Sequence, residues 1–148
     1  MLLQFEIIGE VFVAMLLGGA IGFERESADK PAGLRTHMLV AGSAALLTGL
    51  GRILVMQFDA NNNLISADPI RIIEAVITGI TFLGAGTIIR QRQGKEVEGL
   101  TTAASLLLVG AVGISVALNQ FILSIGITVM MLLALRGLKY GEKSREKS

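Results

Sequence analysis

Thirty-seven consecutive residues, Gly99 to Leu135, carry no charge. A helix at the surface of a soluble protein shows polar residues at helical period, and this stretch shows no such face. Shorter uncharged runs fill residues 11–23, 36–51 and 75–89. Composition points the same way: 52% of the 148 residues are hydrophobic and 17% charged, where ordinary soluble domains carry about 25%. Crossing ~30 Å of hydrocarbon at ~1.5 Å per residue takes about 20 residues. The charge spacing therefore predicts five spans over 5–23, 37–56, 70–89, 100–118 and 121–138, with Asn119-Gln120 turning a hairpin between the last two. The expected fold is an all-α polytopic membrane bundle over 1–138, followed by a cytoplasmic tail over 139–148.

Several function classes fall away. A net charge of +1 gives no electrostatic footprint for nucleic acid. With no Cys and one His, disulfides, thiolate chemistry and a histidine-rich metal site are excluded. Gly84-Ala85-Gly86 lies inside a span and not after a strand, so it is no phosphate cradle. No catalytic constellation stands out, and an enzyme is not expected. The first span lacks the basic segment of a cleaved signal: Glu6 and Glu10 precede its apolar run, and the first basic residue is Arg25. Eleven Lys and Arg fall on one side of the five spans, against Arg52 and Arg71 near the other. The positive-inside bias then gives an outside N-terminus and a cytoplasmic tail.

Within the spans, small and polar residues share faces. Glu10, Ala14, Gly18, Gly22 and Glu26 form one ridge, with Gly18 and Gly22 at GxxxG spacing. His37, Ala41, Ala45, Thr48 and Arg52 share a face of the second span. Arg71, Glu74, Thr78, Thr81 and Ala85 share one of the third, and Ala103, Gly110, Gly113 and Ala117 lie close on the fourth. Such ridges let backbones approach in lipid, either within a bundle or between two copies. Along with Gly18 and Gly22, the helix-packing glycines expected are Gly79, Gly84 and Gly86.

Glu10, Arg52 and Glu74 lie inside the predicted spans, about one turn from the outer boundary, with Asp68 and Arg71 just above. A lone charge near the bilayer centre costs roughly 3 kcal/mol on the lenient scale, so these five are expected to cluster. The cluster can be a salt-bridge lock, or its surplus acid can offer oxygens to Mg²⁺ or a proton. Asp68-Pro69 reads as an N-cap followed by Pro at the first helical position. On the cytoplasmic side Glu24-Arg25-Glu26, Asp29-Lys30, Arg35-Thr36-His37, Arg90, Glu96 and Glu98 gather as a polar cluster or partner surface. No resident cofactor is called for, Mg²⁺ excepted.

Glu24-Arg25-Glu26 followed by Lys30-Pro31-Ala32-Gly33-Leu34-Arg35-Thr36-His37 resembles the signature of the MgtC/SapB family of bacterial membrane proteins. So do Asp68-Pro69-Ile70-Arg71, the run from Gly79 to Gly86, and Gly99-Leu100-Thr101-Thr102-Ala103-Ala104, in order along the chain. The resemblance implies a multi-pass bacterial inner-membrane protein linked to Mg²⁺ homeostasis or growth in low Mg²⁺, and in some pathogens to survival in host cells. Its implied partners are the lipid bilayer and a second copy or another membrane protein, the membrane sector of ATP synthase in some members. It is not an established transporter or enzyme family; cation or proton transport through the outer acids is the alternative. Departures from the family pattern include Glu74, Ala75, Thr81 and Leu107-Leu108. Longer relatives carry a C-terminal cytoplasmic domain, so the resemblance implies either a short form or a chain from which that domain has been removed.

Overall fold

The structure, a computed structural model, describes residues 1–61, 68–90 and 99–145, with side chains described over 1–57, 68–88 and 99–136. Five helices follow one another: α1 (Leu2–Ser27), α2 (Leu34–Asn61), α3 (Pro69–Arg90), α4 (Leu100–Ala117) and α5 (Phe121–Arg145). No strand occurs among the described residues. Each predicted span falls on one helix. The apolar segments of α1 to α4 are long enough to cross a membrane, and that of α5 is described over Phe121–Arg136. The backbone of α5 continues through much of the expected tail to Arg145, since extending a helix needs no new nucleus.

The helix ends follow local chemistry. The backbone leaves α1 through Asp29 at φ 56° and α4 through Asn119 at φ 59°. In both, the last carbonyls are satisfied by a paired closure: Lys30 N–H donates to Arg25 O and Asp29 N–H to Glu26 O, then Gln120 N–H to Ser115 O and Asn119 N–H to Val116 O. Asp and Asn tolerate this left-handed backbone better than other non-glycine residues. The hairpin expected at Asn119-Gln120 is thus present. At α3 the Asp68 carboxylate accepts the Ile70 N–H at 2.9 Å, as the Asp-Pro pair predicts. At α2 the cap comes from another helix: Glu26 Oε2 accepts the Leu34 N–H at 2.8 Å.

The helix α4 is central, touching each of the other four, with more than half of its residues buried. The helix α1 lies most closely on α2. A Cβ on Gly18 would stand 2.7 Å from Ala41 Cβ and 2.7 Å from the His37 carbonyl; one on Gly22 would stand 2.8 Å from Leu34 Cα. The GxxxG ridge therefore packs inside one chain, the first of the two arrangements its spacing allows. Lipid gives apolar side chains no reason to associate, so backbone approach and dispersion contacts carry the packing. Gly113 does the same for α4, a Cβ there running into the Ala41 carbonyl, and Gly84 sets α3 against Ala103. Among the described residues, a Cβ on Gly79 or Gly86 would meet nothing within 4 Å.

These contacts make paired predictions. Gly113→Ala forces α4 off α2 and destabilises the bundle by about 2 kcal/mol or more, read as a lower unfolding temperature in detergent. Gly9→Ala, where a Cβ meets nothing within 4 Å, leaves that temperature unchanged or slightly raised.

Candidate functional site

Two polar centres lie inside the bundle, one at each end of α2. The first is built on Arg52. The α1 ridge carries Glu10, 4% exposed, to the level of Arg52 on the facing side of α2. Arg52 Nη2 donates to both Glu10 oxygens, at 3.0 and 3.1 Å, and Glu6 Oε1 stands 3.7 Å away. On the other side Nη1 donates to the Ala117 carbonyl at 3.2 Å. That carbonyl ends α4, where the helix dipole is negative and favours a cation. One guanidinium thus ties α1, α2 and α4. Its Nε–H is buried without an acceptor among the described residues.

The expected five-residue cluster is only partly assembled. Asp68 is occupied in capping α3. Arg71 and Glu74 are exposed on α3, and neither forms an ion pair among the described residues. The reason is rotational. Val76, Ile80 and Gly84 form the buried stripe of α3, so positions 71 and 74 fall on the other side of the helix. Glu6 takes the place expected for Glu74.

The second centre surrounds His37, which is fully buried. Its Nδ1 lies 2.9 Å from the Gly33 carbonyl, which can only accept, so Nδ1 carries a proton and donates. Nε2 meets Ser105 Oγ at 3.0 Å, and the same Oγ lies 2.7 Å from the Thr102 carbonyl. Ser105 has one proton to give. In neutral imidazole it goes to Nε2, tying α2 to α4. Nearby, Arg25 Nε donates to Glu24 Oε2, both residues being 4% exposed. Arg35 is exposed and stands outside this centre, while Arg90, Glu96 and Glu98 lie outside the residues whose side chains are described.

Ser105 and Thr102 were not singled out as site residues by sequence, though Thr102 belongs to the Gly99–Ala104 motif. One available signal is that Thr102, Ser105 and Val109 repeat at helical spacing on the face of α4 that Gly113 also occupies.

Among the described residues no three acidic or histidine side chains converge on a point where a metal ion could sit. Three of the carboxylates are already engaged. Both Glu10 oxygens face a guanidinium, Glu24 is held by Arg25, and Glu26 caps α2. Two grooves open beside α3. One of about 210 Å³ reaches Arg52 between Pro69, Ile72 and Leu118. The other, of about 320 Å³, lies between Leu39, Ser43 and Leu47 of α2 and Ala75 and Gly79 of α3.

Comparison with known proteins gives a match to the MgtC family over residues 11–144. YhiD of Escherichia coli K12, a proposed magnesium transporter by its name, is 38% identical over 133 residues, 88% of this chain and 59% of that protein. Protein MgtC of Salmonella typhimurium LT2 is 39% identical over 134 residues, 90% of this chain and 52% of that protein. A Haemophilus influenzae protein is 34% identical over 130 residues, 88% of this chain and 54% of its own length. The chain thus spans between half and two thirds of the length of these relatives. No solved structure matches significantly.

The Arg52 tie predicts a specific pattern of stability. Arg52→Met strands a buried carboxylate and costs about 3 kcal/mol, whereas Glu10→Gln with Arg52→Met recovers most of that loss. Denaturant unfolding in mixed micelles measures both, and simple additivity of the two changes would remove the tie from the account.

Proposed function

We propose that this chain, which belongs to the MgtC family, is a non-catalytic multi-pass protein of the bacterial inner membrane. It serves Mg²⁺ homeostasis or adaptation to low Mg²⁺ through helix contacts with itself or with another membrane protein. The N-terminus lies outside and the C-terminus in the cytoplasm, a polarity supported by the eleven-to-two division of basic residues. The observation that carries the contact reading is that the charged groups and the histidine of the bundle core are engaged within it, the Arg52 Nε–H excepted. Glu10 is held by Arg52, Glu24 by Arg25, and His37 by Gly33 and Ser105. Groups so engaged favour a fixed scaffold over an ion path, while α3 keeps a broad face uncovered. The single His, locked on both nitrogens, is poorly placed for acid–base chemistry. Mg²⁺ enters as the condition the protein answers to; the engaged carboxylates do not favour it as a resident ion. The membrane sector of ATP synthase is a partner suggested by the family resemblance alone.

A transport reading has one finding in its favour: the name of YhiD proposes magnesium as cargo. Growth and flux separate the two. In a host lacking its own copy, the chain restores growth at limiting Mg²⁺, and Glu10→Gln with Arg52→Met retains most of that growth. Purified protein in liposomes carries no Mg²⁺ or proton flux above protein-free vesicles. A saturable flux lost in the same double variant would overturn the contact reading and establish transport.

A further inference from the structure

The outward surface of the bundle is made of large apolar side chains nearly everywhere: Phe5, Phe12 and Phe23 on α1, Leu39 and Leu54 on α2, Ile122, Met130 and Leu133 on α5. One line on α3 breaks the rule. Arg71, Glu74, Thr78, Thr81 and Ala85 are all exposed and follow a spacing of three, four, three and four residues. That alternation is the seam of a left-handed helix pair, with a period of 3.5. The threonine hydroxyls donate to carbonyls of their own helix, Thr78 to Glu74 and Thr81 to Ile77 at 2.7 Å. They need no neighbour. Arg71 and Glu74 do, because each faces outward without an ion-pair partner among the described residues. Arg71 also stands in the first turn of α3, where the helix dipole disfavours a cation and the capping Asp68 is the one acid described beside it.

We propose that this seam is filled by α3 of a second copy of the chain, with two reciprocal ion pairs between Arg71 of each copy and Glu74 of the other. The proposal rests on the contact reading above and names its partner. Two copies insert with the same polarity, so a two-fold axis along the membrane normal sets equal positions at equal depth. Arg71 and Glu74 are then offset by about 4.5 Å along the axis. Helical side chains all tilt toward the N-terminus, so this offset persists at the Cβ atoms and is spanned by the length of the Arg71 and Glu74 side chains. A seam carrying one base and one acid a turn apart is complementary to itself in this arrangement. Below the ion pairs Thr78, Thr81 and Ala85 are small enough for close approach, as interfaces in lipid require.

The absence of native cysteine makes the test direct. Thr78→Cys, Thr81→Cys and Ala85→Cys, each alone in native membranes, are expected to give oxidised dimers at several times the yield of Ile77→Cys and Leu83→Cys off the seam. In the Thr81→Cys background, Arg71→Glu or Glu74→Arg alone lowers dimer yield by about fivefold, the scale of one interhelical polar contact. Co-expressing the Arg71→Glu chain with a differently tagged Glu74→Arg chain restores a mixed dimer, which only pairing between chains can do. Equal yield on and off the seam, no mixed dimer, or an adduct solely with a protein of another mass would each overturn the pairing. Growth at limiting Mg²⁺ is scored separately, so failure here leaves the proposed function to its own test.

Discussion

The approach of α1 to α2 at Gly18 and Gly22 sets the geometry from which both polar centres follow. In a medium as apolar as leucine, burying leucine stabilises little, and two helices stay together only where their backbones come close. Gly18 opposite Ala41 and the His37 carbonyl provides that closeness. Once the helices are in this register, Glu10 faces Arg52 two turns toward one end, and Glu24 and Arg25 lie beside His37 toward the other. Gly113 then seats α4 against the Ala41 carbonyl, which brings Ala117 to Arg52 and Ser105 to His37.

The polar groups gain from this packing because the surroundings are poor in water. A carboxylate 4% exposed would be costly alone; held by a guanidinium that also meets a helix C-terminus, it becomes a cross-brace. Such pairs fix register more than they add stability, since breaking one leaves a charge that nothing else can satisfy. Both braces lie on α1, α2 and α4. The helix α3 is packed chiefly against α4, has few buried residues, and leaves its polar line outside. A rigid three-helix core with an uncovered helix beside it suits a protein that meets its partner side by side in the bilayer.

Much of this was legible in the sequence, and the exceptions share a cause. Uncharged run lengths placed all five helices, and Asp68-Pro69 and Asn119-Gln120 marked their ends because capping is local chemistry. The face from His37 to Arg52 was identifiable, as was its link to Glu10, since small and charged residues in lipid seek protein. That same rule misplaced Glu74. It says that a polar stripe is covered, without saying whether the cover belongs to the same chain. For Gly18 and Gly22 the cover is internal; for Arg71 and Glu74 the described residues supply none. Ser105 and Thr102 stayed hidden because single hydroxyls in an apolar helix barely alter its hydropathy.

The central claim is that α1's small-residue ridge closes within one chain, leaving α3 as the outward polar face. Oxidation of a chain carrying both Gly18→Cys and Ala41→Cys tests it most directly, because an ideal Cβ on Gly18 lies 2.7 Å from Ala41 Cβ and slight separation of the helices reaches disulfide geometry. The account predicts a disulfide internal to one chain, seen as a faster-migrating monomer that reduction reverses. A disulfide linking two chains through these positions, or none at all, would contradict it.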